Sequence, residues 1–139
     1  MKIVSVLEDK NVEKRISITP EIAKKYIAMG FEVSLPESYG EHLGFSDNEY
    51  KNLNVRISKD DNELIDSADV IVQLGLPSED KLNKISSGQS IIGVLNPYNN
   101  KSILDNLSAS GPAAPVVLSF KLDIGFSALN ASTNPDIPD

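Results

Sequence analysis

The chain has 139 residues, of which 40% are apolar, so it can bury one core and favours one domain, or one domain with a tail. Its 13 Lys and Arg against 20 Asp and Glu give a net charge of −7, which opposes attraction of phosphates and excludes nucleic acid as a predicted partner. With no cysteine and one histidine, the chain has no disulfide, no thiol chemistry and no Cys- or His-rich metal site. The first apolar run is too short for a signal peptide, and no stretch reaches the roughly 18 apolar residues of a membrane span, so we predict a cytoplasmic domain.

Strand and helix patterns alternate from the amino terminus. The β-branched run "KIVSVL", Lys2 to Leu7, predicts a strand buried on both faces. "TPEIAKKYIAMG" predicts a helix with Thr19 as N-cap, Pro20 in the first turn and Gly30 at the end. "FEVSLP" then predicts a second strand from Phe31 to Leu35.

The same alternation continues to residue 108. Ser46 and Glu49 match a capping box, which predicts a short helix before the strand "VRI". "DDNELIDSA", "SEDKLNKI" and "NKSILDNLS" predict helices, and "DVIVQLG" and "QSIIGVL" predict buried strands. Such alternation indicates right-handed βαβ crossovers. We therefore predict an α/β domain over residues 1–108: an open, doubly wound parallel sheet, Rossmann-like or flavodoxin-like, with helices on both faces.

The composition changes over residues 109–139. "SASGPAAP" is typical of a linker, and "VVLSFKLDI" is compatible with a strand. The stretch that follows has no helical stripe and ends in Pro and Asp. We expect an atypical tail here, with the last ten or so residues disordered.

Residues that follow the first strand are candidates for binding, because ligands of open α/β sheets gather at the carboxyl ends of the strands. Glu8 and Arg15 lie there. The planar guanidinium of Arg15 suits a two-point contact with a carboxylate. A surface ion pair with Glu13 or Asp9 is the more ordinary outcome for a loop charge, so spacing alone leaves the role of Arg15 open.

The later strands contribute three further candidates, Gln73, Gly75 and Asn96. Gln73 either offers its amide to a ligand or ties down neighbouring backbone, which is the commoner use of a buried amide. Asn96 opens "NPYNN", a turn by composition. The glycines of "SYGEHLGFSD" form no dinucleotide fingerprint, and His42 has no triad partners. We predict no catalytic, cofactor-binding or metal-binding residue in this chain.

Several motifs in order nevertheless resemble a known family. Glu8, "EKR", "ISITPE", "MGFEV", "FSDNEY", "SADVIVQLGLP" and "GQSIIGVLNPYNN" resemble the N-terminal domain shared by alanine dehydrogenases and the α-subunit of proton-translocating NAD(P) transhydrogenase. The resemblance covers roughly residues 1–107. It implies that Arg15 faces an interdomain cleft, where the matching arginine of the dehydrogenases holds the substrate carboxylate, and that Gln73, Gly75 and Asn96 line the same cleft.

Two departures favour one branch of that family. In alanine dehydrogenases a substrate-binding lysine occupies the place of Gly75 and a catalytic histidine the place of Asn96. The resemblance therefore implies the transhydrogenase branch, whose parent enzyme moves hydride between NADH and NADP⁺. We expect this chain alone to bind neither NAD nor NADP and to be inactive. The alternatives are a fragment of an alanine or lysine-pathway dehydrogenase, or a non-catalytic interaction domain.

The tail bears on the partners that the resemblance implies. The family continues with an arginine-containing loop and a Rossmann domain, whereas residues 109–139 contain no arginine. We hypothesise a truncated or frame-shifted copy. Its expected partners are the remaining transhydrogenase subunits or domains, with a homodimer as a further option, and with neither nucleic acid nor direct membrane insertion. The expected location is the cytoplasm, or the periphery of the inner membrane through partner subunits.

Overall fold

A computed structural model of the protein describes residues 1–86, 88–95, 101–108 and 116–119. Six parallel strands form one open sheet in the order β3-β2-β1-β4-β5-β6. The strands are β1 (Lys2–Val4), β2 (Glu32–Pro36), β3 (Arg56–Ser58), β4 (Val70–Gln73), β5 (Ser90–Gly93) and β6 (Val116–Ser119). The helices are α1 (Pro20–Ala28), α2 (Asp47–Asn52), α3 (Asp61–Ser67), α4 (Glu79–Leu82) and α5 (Lys101–Ser108). The predicted α/β class and parallel sheet are confirmed.

The helix starts follow the signals in the sequence. Thr19 caps α1, with its side-chain oxygen 3.4 Å from the backbone nitrogen of Ile22, and Pro20 is the first helical residue. Ser46 caps α2 by accepting from the N–H of Glu49 at 3.2 Å. Each cap accepts a hydrogen bond from a backbone N–H that the first helical turn leaves unpaired, and so fixes the residue at which the helix begins.

Helices lie on both faces of the sheet, each over its own hydrophobic cluster. Helices α1 and α2 pack on one face of the sheet, which we call the α1 face. Helices α3 and α4 pack on the opposite face, which we call the α3 face. The core of the α1 face comprises Ile3, Ile16, Ile18, Ala23, Val33, Leu35, Tyr39, Tyr50 and Val55. The core of the α3 face comprises Val4, Val6, Leu64, Ile65, Ala68, Ile71, Leu82, Ile85, Ile91 and Leu95. The predicted doubly wound arrangement is confirmed.

The sheet also includes a strand from the predicted tail. Strand β6 pairs in parallel with β5, with Ser90 beside Val116 and Gly93 beside Ser119. The strand expected in "VVLSFKLDI" is thus confirmed for its first four residues, while a domain boundary at residue 108 stays a prediction. The disorder expected of the final ten residues lies outside the described part of the chain. Among the described helices, none has both the length and the apolar character to cross a membrane.

Candidate functional site

The sheet reverses its order between β1 and β4, and the carboxyl ends of these two strands form the crevice where ligands of doubly wound folds bind. The loop after β1 brings Glu8 to this point, and the end of β4 brings Gln73 and Gly75. An open groove of about 280 Å³ adjoins them. Its walls are Leu7, Glu8, Asp9, Leu76, Pro77, Ser78 and Lys81.

The carboxylate of Glu8 accepts hydrogen bonds from the backbone N–H groups at the end of β4. Its Oε1 accepts from the N–H of Leu74 at 2.8 Å and from Nε2 of Gln73 at 3.3 Å, and its Oε2 accepts from the N–H of Gly75 at 3.1 Å. We call Glu8 with the two backbone N–H groups of Leu74 and Gly75 the Glu8 clasp. Burial raises the pKa of Glu8, and the two backbone hydrogen bonds oppose that rise.

The side chain of Gln73 is 1% exposed and connects the end of β4 to the segment directly after β1. Its Oε1 accepts from the hydroxyl of Ser5 and from the N–H of Val6, both at 2.7 Å. Beside it, a Cβ added to Gly93 would stand 1.8 Å from the carbonyl oxygen of Gln73, so only glycine fits there. The amide of Gln73 therefore ties down neighbouring backbone, which is the second of the two uses considered from the sequence.

A buried hydroxyl network supports the crevice from the α1 face. The phenol oxygen of Tyr39 accepts from the N–H groups of Ser17 and Ile18, each at 3.2 Å, and donates to the hydroxyl of Ser5 at 2.8 Å. The hydroxyl of Ser17 donates to the carbonyl of Val72 at 2.8 Å. Burial raises the pKa of Tyr39, so the network holds a neutral phenol. These bonds attach the long loop after β1 to both β1 and β4.

Arg15 lies at the outer side of that loop, with 66% of its side chain exposed. Its Nε and Nη2 donate to the two carboxylate oxygens of Glu13 at 2.9 and 2.8 Å. The hydrogen bonds from Arg15 lower the pKa of Glu13, and those to Glu13 raise the pKa of Arg15. The structure therefore forms the surface pair considered from the sequence, and the role of Arg15 in a cleft stays a prediction.

Among the four predicted cleft residues, the structure brings Gln73 and Gly75 together at the Glu8 clasp and places Arg15 at the rim, while Asn96 lies outside the described residues. A Cβ on Gly75 would meet Oε2 of Glu8 at 3.1 Å, so the clasp closes over this position. His42 holds a neighbouring loop, with Nε2 2.8 Å from the carbonyl oxygen of Lys14. Within the described ranges, no group of His, Asp and Glu is arranged to hold a metal ion.

Sequence reasoning missed the Tyr39 network. One signal for it was present, because Ser5 interrupts the apolar run "KIVSVL", and a small polar residue inside a buried strand needs a hydrogen-bond partner. Nothing local pointed to Tyr39 or Ser17 as that partner, since they lie 34 and 12 residues away in sequence.

Comparison with known proteins bears on this geometry. The family model described as "Alanine dehydrogenase/PNT, N-terminal domain" matches residues 5–115. The chain belongs to this family. It is 31% identical over 111 residues to an alanine dehydrogenase of Halomonas elongata, covering 80% of this chain and 30% of the relative. It is 36% identical over 104 residues to the first portion of a divided NAD(P) transhydrogenase subunit alpha of Rickettsia prowazekii, covering 72% of this chain and 27% of the relative.

Solved structures of the family share the fold. A transhydrogenase from Sinorhizobium meliloti superposes with a TM-score of 0.71 at 25% identity, covering 85% of this chain and 34% of that one. An L-alanine dehydrogenase gives a TM-score of 0.75 at 18% identity, covering 86% and 32%. The resemblance predicted from the sequence is confirmed. The chain spans about a third or less of the length of these relatives. Family membership therefore identifies the chain as the N-terminal domain of this family. It does not assign the chain to the alanine dehydrogenase or the transhydrogenase branch.

Proposed function

We propose that this chain is the N-terminal domain of an NAD(P) transhydrogenase α-subunit-like protein, and that it forms one wall of an interdomain cleft without binding nucleotide itself. The observation that carries the proposal is the Glu8 clasp at Gly75. It places the carboxylate of Glu8 beside Gly75, at the end of β4 where the crevice would receive a ligand.

The glycine at position 75 argues against an amino-acid substrate. An amino-acid carboxylate approaching Gly75 would meet the carboxylate of Glu8 rather than the lysine ammonium that the dehydrogenase branch uses there. Two like charges within a few ångströms repel, and partial burial strengthens the repulsion because it weakens screening by water. Arg15 already has a carboxylate partner, since its Nε and Nη2 donate to Glu13 at the rim.

The loop after β1 argues against a nucleotide held by this chain alone. In dinucleotide-binding folds this turn is glycine-rich, which lets pyrophosphate approach the backbone and the N-terminus of the next helix. Here residues 5–19 contain no glycine, and α1 begins with Pro20, which has no N–H, followed by the acidic Glu21. The N–H groups of Leu74 and Gly75 are taken by Glu8. The nucleotide must then be held by another domain.

The transhydrogenase branch fits a domain of this kind. The Rickettsia prowazekii relative is, by its own name, one portion of an α-subunit, so a domain of this family does occur in a protein divided into several chains. We infer that the partners of this chain are the nucleotide-binding remainder of such an enzyme, which would carry NAD and NADP. Those partners would place the domain at the cytoplasmic side of the inner membrane.

The first test measures NADH binding by the purified 139-residue chain, with cofactor fluorescence and calorimetry as the two methods. We expect no binding up to millimolar NADH. The Glu8→Ala variant serves as a matched control, because it frees the two clasp N–H groups without adding a glycine-rich turn. Micromolar binding by the unaltered chain would contradict the proposal that another domain holds the nucleotide.

A second test separates the two branches. Residues 1–108 would replace the corresponding domain in the Halomonas elongata alanine dehydrogenase and in the Cereibacter sphaeroides NAD(P) transhydrogenase subunit alpha. We expect the second chimera to transfer hydride between NADH and NADP⁺ and the first to leave alanine unoxidised. Adding Gly75→Lys and Asn96→His to the first chimera is the control for correct folding. Alanine oxidation by the unmodified chimera would refute assignment to the transhydrogenase branch.

A further inference from the structure

The groove beside the Glu8 clasp has an apolar side and an acidic side. Leu7, Leu76 and Pro77 form the apolar side, and the carboxylates of Glu8 and Asp9 form the acidic side. Its volume of about 280 Å³ lies at the lower limit of the pockets that hold small-molecule ligands. The groove is therefore suited to a single long side chain that enters from outside.

The charge around the groove is mainly negative. Its walls and the first turn of α4, which contributes Glu79 and Asp80, carry four carboxylates and one ammonium group. That ammonium belongs to Lys81, whose Nζ lies 2.9 Å from a carboxylate oxygen of Asp61, so its charge is offset. A concave surface with this excess of one sign attracts cations and repels anions.

The carboxylate of Glu8 has capacity for one more hydrogen bond. A carboxylate offers about four acceptor positions. Three are taken by the N–H groups of Leu74 and Gly75 and by the side-chain amide of Gln73. None of the lysines and arginines in the described ranges forms an ion pair with Glu8, and Arg15 acts on it only at longer range. A half-buried carboxylate is stabilised by a counter-ion, so the free position favours a cationic donor.

We propose that this groove receives a lysine side chain of the partner that carries the nucleotide-binding domain. The identity of the partner rests on the proposed function, whereas the chemistry of the occupant rests on the groove. One free acceptor position suits an N–H of an ammonium group better than the two-point fork of an arginine. The aliphatic stem of a lysine can lie along Leu7 and Leu76 while its ammonium contacts Glu8 and Asp9.

Titration of the full-length chain tests the chemistry of the occupant. The probes are Nα-acetyl-lysine amide, its arginine counterpart, and Nα-acetyl-norleucine amide, which keeps the aliphatic stem and lacks the charge. Binding is followed through the amide signals of Leu74 and Gly75 in NMR spectra. Glu8→Gln removes the charge with little change of shape, and Asp9→Asn is a second variant should the first fold poorly. The matched control is Glu32→Gln, which removes an exposed carboxylate at the opposite edge of the sheet.

We expect the lysine derivative to shift both amide signals, the arginine derivative to bind less tightly, and the norleucine derivative to leave the signals unshifted. Glu8→Gln should weaken binding of the lysine derivative about fivefold, and Glu32→Gln should leave it unchanged. Equal binding of the lysine and norleucine derivatives would overturn the proposal, because the groove would then be only an apolar surface. Equal weakening by the two variants would also overturn it, because net charge alone would explain the attraction. Tighter binding of the arginine derivative, or no shift with any probe, would contradict a lysine site.

Carbodiimide coupling tests the source of the lysine. This reagent joins a carboxylate to an amine in direct contact, and mass spectrometry then identifies the joined residues. The coupling is carried out on the Cereibacter sphaeroides chimera once it is shown to transfer hydride. We expect Glu8 or Asp9 to be joined to a lysine outside residues 1–108. Coupling only within residues 1–108, or none at either carboxylate, would overturn the partner as the source.

The two proposals fail in different ways. NADH binding by the 139-residue chain would refute the proposed function and leave the result of the groove titration standing. A titration without shifts, in a chain that does not bind NADH, would refute the lysine site alone.

Discussion

The two halves of the sheet both consist of parallel strands, but their helices pack on opposite faces. Strands β1, β2 and β3 carry α1 and α2 on one face, and the buried Tyr39 network attaches their loops to the sheet. Strands β4 and β5 contribute Ile71 and Ile91 to the core of the opposite face, under α3 and α4. The difference follows from handedness: right-handed crossovers running in opposite directions from the switch point place their helices on opposite faces. Each half thus has one face that its own crossovers do not cover.

The largest expected effect compares Ile91 and Ile92, identical residues on adjacent positions of β5. Ile91 is fully buried in the core of the α3 face, so Ile91→Ala should lower the free energy of unfolding by about 2–5 kcal/mol. Ile92, on the opposite side of the same strand, is half-buried, so Ile92→Ala should cost about 1 kcal/mol. Urea unfolding measures both. Equal costs would show that Ile92 is packed as tightly as Ile91.

In the other half, Tyr39 and Tyr50 form a second matched pair. Tyr39→Phe leaves the N–H groups of Ser17 and Ile18 without their acceptor, so we expect a loss of about 2–4 kcal/mol. Tyr50→Phe removes one hydrogen bond, from the phenol to the carbonyl of Ile18, at about 1 kcal/mol. Thermal and urea unfolding of the two variants would compare them. Equal losses would mean that the network does not fix the loop after β1.

The Glu8 clasp joins the two halves at the switch point. Glu8→Ala removes the acceptor of two N–H groups, those of Leu74 and Gly75, so we expect about 1–3 kcal/mol of destabilisation. Hydrogen exchange should accelerate at Leu74 and Gly75 well above the average of β4. Unchanged protection at both amides would show that the clasp does not hold the halves together.

The raised pKa of Glu8 predicts the sign of a pH effect. The folded state binds the proton more tightly than the unfolded state, so the stability contributed by Glu8 is fully present below its unfolded pKa. It is lost as pH rises through the folded pKa. The unfolding free energy of the unaltered chain, relative to Glu8→Gln, should therefore fall with rising pH and then level off. A rise over the same interval would show that the backbone hydrogen bonds outweigh burial.

The smallest effect is expected at the rim of the switch point. Arg15 is largely exposed and pairs with Glu13, so Arg15→Ala should change the unfolding free energy by less than about 1 kcal/mol. Lys25→Ala, which breaks the exposed pair with Glu21, is the matched control. A loss well above that of the control would make Arg15 a structural part of the junction. An indistinguishable loss leaves its guanidinium available for a partner across the cleft.

Much of this architecture can be predicted from the sequence because its signals are local. Thr19 and Ser46 mark helix starts within one turn, and apolar runs of β-branched residues mark buried strands, so the strands and α-helices are predicted within a few residues of their bounds. The strand predicted from "KIVSVL" is too long, because its last three residues lie beyond the ladder with β2. Two of them, Ser5 and Val6, are nevertheless fully buried, as the residues of a central strand are. The family is also predictable, since its motifs are short stretches in a fixed order.

The amino-acid sequence by itself determined the alternation of elements, the parallel sheet and membership of the alanine dehydrogenase/transhydrogenase N-terminal family. Only the tertiary structure decided that Glu8 closes over Gly75, that the Gln73 amide binds the segment directly after β1, and that Arg15 pairs with its near neighbour. The physical reason is distance along the chain. A cap or a strand pattern acts within a few residues, whereas the contacts of Glu8 and Gln73 join positions more than 60 residues apart, which no local pattern encodes.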